Sequence, residues 1–205
     1  MSPEPTVFVV DDDPGVRRSL RALLRSAGLA VATYPSGQEF LDAYDSTRPG
    51  CLLLDVRLCD SSGLDLQDEL RRRRATVPII FMSGYGDVPT SVRAIRGGAI
   101  DFLEKPVAPK QLLARVREAL EVDHRRRNTA EARSAVIERL ARLTSRESEI
   151  MELLVAGKSS KEIAAALRLS VRTVEGHRRE VLRKMEAASA AHLVSIVVRA
   201  RSAGT

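Results

Sequence analysis

The run Leu52-Leu53-Leu54-Asp55 constrains this chain more than any other stretch. Three consecutive leucines suit a strand covered on both faces, as in a parallel sheet, and the run stops abruptly at a carboxylate. Open α/β sheets carry their chemistry at the carboxyl ends of the strands. Asp55 is therefore a candidate reacting group, against the commoner role of an Asp as a turn residue or helix cap.

The same order of apolar run, polar stop and helix recurs along the first 120 or so residues. Strands are predicted over Thr6–Val10, Leu29–Tyr34, Cys51–Leu54, Pro78–Met82 and Asp101–Glu104. Between them lie helices with apolar stripes. The first is opened by Pro14 with Asp13 as N-cap and closed by Gly28. The others run over Gly37–Tyr44, about Leu64–Arg73, Val88–Arg96, and from Pro109 onward with Leu112, Leu113, Val116 and Leu120 on one face. Five β-then-α units imply right-handed crossovers and a five-stranded parallel sheet with helices on both faces. Arg71 to Arg74 at a helix end is read as a solvated, dipole-compatible terminus.

Four strand ends then meet at one edge: Asp11 and Asp12, Asp55, Ser83, and Lys105. Carboxylates held together repel one another, and a hard divalent cation relieves that repulsion. An Asp beside Mg²⁺ can attack a phosphoryl group whose charge the metal neutralises. Ser83 can donate a hydrogen bond, and Lys105 an ion pair, to the phosphate formed. Lys105 precedes Pro106, where a cis peptide is possible.

Charge divides the chain. Residues 1–123 hold 16 Lys/Arg against 18 Asp/Glu, whereas residues 124–205 hold 17 against 9. A near-neutral half joined to a basic half points to two jobs, the second beside a polyanion. No apolar run approaches the roughly 20 residues of a membrane span, and no export signal opens the chain, so cytoplasm is the expected compartment. Cys51 and Cys59 are too few for a disulfide framework.

Residues 123–142 read as a helical linker of Ala, Glu and Arg, with Asn128-Thr129 as a point where it could break. Capping boxes at Thr144-x-x-Glu147 and Ser159-x-x-Glu162 open two short helices. Arg168-Leu169-Ser170 is a tight turn before a third helix reaching about Met185, and a last helix covers Ser189–Ala200. The second and third of these have the form of a helix-turn-helix. On the third, Val174, His177, Val181 and Met185 fall on one side and pack. Arg172, Glu175, Gly176, Arg179 and Arg183 fall on the other, an exposed face suited to the major groove.

Two resemblances follow from these residues. Val9-Val10-Asp11-Asp12, Asp55, Met82-Ser83-Gly84 and Glu104-Lys105-Pro106 resemble the receiver domain of bacterial two-component response regulators, over about residues 5–122. The blocks at Leu143–Glu149, Gly157–Ala164 and Ser170–His177 resemble the LuxR-type DNA-binding domain, over about 139–202. Together they resemble the FixJ/NarL group, with Tyr85–Pro89 and Ala99–Pro106 as FixJ-like blocks. The implied fold class is α/β plus all-α. A flavodoxin- or CheY-like (βα)5 receiver over 1–122 is followed by the linker over 123–142 and a four-helix helix-turn-helix domain over 143–205.

The resemblance implies Asp55 as phosphoacceptor, with Asp12, Asp55 and the Arg57 carbonyl holding Mg²⁺ (or Mn²⁺) and Asp11 assisting through water. It makes Ser83 and Phe102 a switch pair, and Arg57 and Tyr85 the positions that tune phosphate lifetime. Glu175, Gly176 and Arg179 would meet bases or nearby phosphates, and Lys161, Arg172 and Thr173 the DNA backbone. Glu175 would either prefer a cytosine amino group or pair with Arg179. Dimerisation is implied through the fourth helix, with Val92 and Ile95, and through Leu193, Ile196 and Val197 of the last helix. Implied partners are a sensor histidine kinase, promoter DNA, a second copy on phosphorylation, and RNA polymerase. One departure stands out: the family usually has Pro four residues after the acceptor, and this chain has Cys59. The function expected is a phosphorylation-controlled transcription regulator. Its alternatives are a constitutive DNA-binding regulator with an idle acidic pocket, or a phosphohydrolase, for which no cap insertion is visible.

Overall fold

The computed structural model describes residues 4–59, 61–84 and 88–202. The chain forms two compact units, residues 1–126 and 127–205. In the first, β1 (Thr6–Val10), β2 (Ala30–Tyr34), β3 (Gly50–Asp55), β4 (Ile79–Ser83) and β5 (Asp101–Glu104) form a sheet ordered β2-β1-β3-β4-β5. Every neighbouring pair is parallel. The expected strands are all present, with ends shifted by a residue or so.

Period-two alternation divides the strands between two cores. Phe8, Val10, Leu52, Leu54 and Phe81 pack with α2 (Gly37–Ala43), α3 (Gly63–Arg72) and α4 (Val88–Arg96) through Phe40, Leu66, Leu70 and Ala94. Val7, Val9, Leu53, Ile80 and Leu103 pack on the other face with α1 (Pro14–Ser26) and the start of α5 (Pro109–Ala141), through Leu24, Leu112 and Val116. Leu52, Leu53 and Leu54 have no exposed surface, as a strand covered on both faces requires. Asp13 caps α1, its carboxylate accepting from the Gly15 and Val16 amides at 2.6 and 3.2 Å. Those bonds hold its pKa below the ordinary carboxylate value.

The helix expected over residues 123–142 is present as the C-terminal part of α5. Helix α5 runs unbroken through Asn128-Thr129 to Ala141, and the unit boundary falls inside it. Asp123 belongs to the first unit: it is buried, and its Oδ2 accepts the Gly50 amide at 2.9 Å. Val136 and Leu140 belong to the second unit, in whose core they pack.

That second unit adds α6 (Ser145–Val155), α7 (Ser160–Leu167), α8 (Val171–Lys184) and α9 (Ala190–Ser202) around a core of Ile150, Ile163, Val174, Val181, Met185 and Leu193. Both expected capping boxes form, Thr144 with Glu147 and Ser159 with Glu162. Between α7 and α8, Arg168 takes the left-handed conformation (φ 53°) usually left to Gly, and Arg146 Nη2 donates to the Leu167 carbonyl beside it at 3.0 Å.

Leu193 and Val197, expected at a dimer interface, lie in the core of their own unit. Both are fully buried, so they anchor α9 there; Ile196 is half-buried. No helix among the described residues is long and apolar enough to cross a membrane.

Candidate functional site

Parallel pairing brings the carboxyl ends of β1, β3, β4 and β5 to one edge. Asp11 follows β1, Asp55 ends β3, Ser83 ends β4 and Lys105 follows β5. One oxygen from each of Asp11, Asp12 and Asp55 lies within 4.8 Å of the other two. Lys105 Nζ donates to Asp11 Oδ2 at 2.7 Å and to Asp55 Oδ2 at 3.1 Å, so one ammonium bridges two strand ends. The Lys105–Pro106 peptide is cis.

Asp11 is the buried member, and its other oxygen accepts the Asp13 amide at 2.9 Å. Burial raises the Asp55 pKa above the ordinary carboxylate value, and the Asp11 charge adds to that; the Lys105 charge and hydrogen bond and the Arg57 amide offset it only in part. Lys105 is also raised: burial opposes its charge, but the bond and charge of Asp11, joined by Asp55, outweigh it. The pair thus holds a proton firmly on the lysine while the Asp55 carboxyl resists ionisation more than in water.

Three close acids with a single ammonium keep net negative charge, and the donors are all hard oxygens. That set fits a hard divalent cation. The Arg57 amide bonded to Asp55 also brings the expected carbonyl donor's residue to the pocket.

Ser83 is buried, and its carbonyl accepts the Lys105 amide at 2.7 Å. Phe102 is half-buried on β5, stacked on Phe81 with centroids 6.3 Å apart. Tyr85 lies outside the described residues. Two contacts at the site were not foreseen. Cys59 donates its thiol to Asp12 Oδ2 at 2.8 Å. Gly63 lets α3 start against the end of β3, since a Cβ there would sit 2.2 Å from the Asp55 carbonyl oxygen. The Ser61-Ser62-Gly63 loop signal in the sequence marks the spot, though not the contact.

The second unit carries the basic face. Arg172, Thr173, Glu175, Gly176, Arg179 and Arg183 are all exposed on α8, and Lys161 is exposed on α7. Val174, Val181 and Met185 pack inward, and His177 is half-buried. A Cβ at Gly176 would meet nothing within 4 Å, so the helix surface is bare there. Arg183 is engaged by Glu180 at 2.7 Å. The Arg179 partnership proposed for Glu175 is corrected: its carboxylate takes the Ser160 hydroxyl and lies 3.8 Å from Arg178, because i,i+3 and the neighbouring helix bring those groups closer.

Comparison with known proteins covers both units. The response regulator receiver domain family matches residues 7–117, and the luxR family of bacterial regulatory proteins matches residues 141–197. The transcriptional regulatory protein FixJ of Azorhizobium caulinodans is 45% identical over 194 residues, 95% of this chain and 92% of its own. The transcriptional regulatory protein TdiR of Thauera aromatica is 44% identical over 197 residues, 96% of this chain and 87% of its own. Among solved structures, the response regulator StyR superimposes with a TM-score of 0.88 at 39% identity, covering 96% of this chain and 99% of its own. Full-length FixJ from B. japonicum gives 0.60 at 37%, covering 98% of each chain. With an acid-and-lysine pocket at the sheet edge, a helix-turn-helix in the basic half and relatives alike over nearly their whole length, this chain belongs to the FixJ-like response regulators, the two-component transcription regulators that join a receiver to a LuxR-type DNA-binding domain.

Proposed function

We propose that Asp55 is the phosphoacceptor for a sensor histidine kinase and that its phosphorylation controls promoter binding by α8. The observation that carries this reading is the Lys105 ammonium, 3.1 Å from an Asp55 carboxylate that also faces Asp11 and Asp12. Asp55 attacks the phosphorus of a phosphohistidine; the new P–O bond replaces the P–N bond, and the imidazole leaves and takes up a proton. Asp11, Asp12, Asp55 and the Arg57 carbonyl would hold Mg²⁺ or Mn²⁺, which supplies neutralisation of the phosphoryl oxygens. Lys105 then pairs with the phosphate, Ser83 donates to it, and Phe102 turns inward as Ser83 moves.

The added charge biases a pre-existing equilibrium of the α4–β5 surface. Val88, Val92 and Ile95 are exposed there, which supports α4 as the face a second copy covers on phosphorylation. A dimer reads two half-sites about one helical turn apart, with Lys161, Arg172, Thr173, Glu175, Gly176, Arg179 and Arg183 against DNA. RNA polymerase is a further partner of the DNA-bound form. The chain acts in the cytoplasm and turns over no separate substrate; its only chemistry is self-phosphorylation and slow self-hydrolysis.

The test is incubation with acetyl phosphate and MgCl₂. A base-labile phosphoryl mass increment on the peptide holding Asp55, lost in Asp55→Asn together with phosphodonor-dependent DNA binding, is the expected result. DNA binding that ignores both the donor and Asp55→Asn would establish an idle pocket instead.

A further inference from the structure

Of the two acids on α8, Glu180 pairs with Arg183, and Glu175, beside Gly176 on the outward surface, is tied down from the neighbouring helix. Glu175 and Arg178 sit one turn apart on α8, and Ser160 opens the neighbouring helix α7. The Ser160 hydroxyl donates to Glu175 Oε1 and accepts from Arg178 Nη1 at 3.2 Å, while Arg178 Nη1 itself lies 3.8 Å from Glu175 Oε1. A serine hydroxyl has one donor and two acceptor lone pairs, so both bonds form without competing. The half-buried guanidinium fixes one lone pair and leaves the hydroxyl proton directed at the carboxylate. Glu175 stays half exposed beside the bare backbone of Gly176.

We infer that Ser160 is a positioning residue that fixes the Glu175 carboxylate toward an amino group on a major-groove base edge, and so sets one cytosine in the operator half-site. This rests on the reading of α8 as the helix that enters the groove. A free glutamate opposite a base acceptor would swing into water and discriminate little. A tethered one cannot leave, so it suffers repulsion from guanine O6 and N7, thymine O4 and nearby phosphates. It is compatible only with an exocyclic amino donor. Adenine N6 lies between two acceptors, its own N7 and thymine O4, whereas cytosine N4 has the guanine O6 on one side only. Cytosine is therefore the preferred base. The bonds that lock the carboxylate also preorganise it, reducing the ordering cost at binding.

The test uses the full-length protein, with and without acetyl phosphate and MgCl₂, to select half-sites from a pool of random duplexes. One half-site position should favour cytosine by about tenfold, the scale of a single good base contact. Ser160→Ala should cut that preference to below about threefold, with the preferences at the other positions and the melting temperature as controls. Ser160→Thr, which keeps the hydroxyl, should restore it, and Glu175→Gln should abolish it. A Ser160→Ala protein that keeps the full cytosine preference overturns the positioning role. Sequence selection that Glu175→Gln leaves untouched overturns base reading by Glu175 alone, whereas failure of the parent protein to enrich any sequence under either condition overturns the groove-reading assignment of α8 as well.

Discussion

Replacing Lys105 by Met keeps most of the side chain's length and removes its charge, and the cost can be worked from the distances around Nζ. The ammonium lies 2.7 Å from Asp11 Oδ2 and 3.1 Å from Asp55 Oδ2. At an effective dielectric of about 20 these are gross attractions of about 6 and about 5 kcal/mol. On the same scale, carboxylate oxygens within 4.8 Å of one another repel by about 3.5 kcal/mol or more per pair. Most of the attraction offsets desolvation, so the gross figures exaggerate. Orphaning a buried charge costs about 3–5 kcal/mol in practice, and because the Lys105 side chain is 24% exposed the lower end applies. About 3 kcal/mol corresponds to about a 100-fold larger opening equilibrium. Hydrogen exchange read by mass spectrometry on the full-length protein separates the two units. In Lys105→Met, amides of β1 and β3 should exchange about 100-fold faster, and those of α6 and α8 at the parent rate. Saturating MgCl₂ should recover part of the protection, because a divalent cation substitutes for the missing positive charge. Exchange of β1 and β3 within about threefold of the parent would refute the idea that this ammonium holds the acids together.

Three further outcomes are expected. Glu147 is buried against Lys184 Nζ at 2.6 Å and bonded to the Thr144 amide, contacts that lower its pKa from 4.5 to about 2. Because the folded value is the lower one, this stabilisation is complete above about pH 4.5 and fades toward pH 2. Glu147→Gln should speed α6 and α8 exchange at pH 6 by the equivalent of about 1–2 kcal/mol and flatten its dependence on acid. Gly63→Ala places a Cβ 2.2 Å from the Asp55 carbonyl oxygen; backbone must move, and acetyl phosphate labelling of Asp55 should fall about 100-fold, a loss that unchanged labelling would contradict. Of the two thiols, Cys59 is exposed and Cys51 is buried with its pKa pushed up to about 12, so a thiol reagent should label the native chain once, and labelling at Cys51 before unfolding would contradict the packing.

Strands β1, β3 and β4 were legible because a strand covered on both faces is written as an unbroken apolar run, and each of these runs meets a polar residue at the pocket edge. Cys51–Leu54, Thr6–Val10 and Pro78–Met82 needed nothing from elsewhere in the chain, whereas Asp101–Glu104 has only Phe102 and Leu103 as apolar residues. Capping boxes were legible for the same reason: Thr144 with Glu147 and Ser159 with Glu162 are partners three residues apart. What escaped were bonds between residues far apart in sequence. Cys59 to Asp12 spans 47 positions, Lys184 to Glu147 spans 37, and the Ser160 hydroxyl reaches Glu175 across a helix–helix contact. Local pattern treats each residue on its own helix or loop and has no means of pairing distant ones. Asp123 escaped likewise, since the amide its buried carboxylate accepts comes from Gly50, 73 residues away.

The two helices assigned to dimerisation show where periodicity stops being informative. Leu193 and Val197 stand four apart on α9, and Val92 and Ile95 three apart on α4, so each pair marks an apolar face and neither spacing says what covers it. On α9 the domain's own core covers Leu193 and Val197 completely and leaves Val198 exposed. On α4 the core takes Ala94 instead, and Val88, Val92 and Ile95 stand 73%, 41% and 47% exposed. A core and an interface obey one hydrophobic rule and differ only in whose atoms satisfy it. The weight of any association between copies therefore moves from α9 to α4, on the receiver. A polar substitution at Val92 should then weaken phosphorylation-dependent association far more than one at Val198, as sedimentation of the two variants would show, and equal effects would return α9 to the interface.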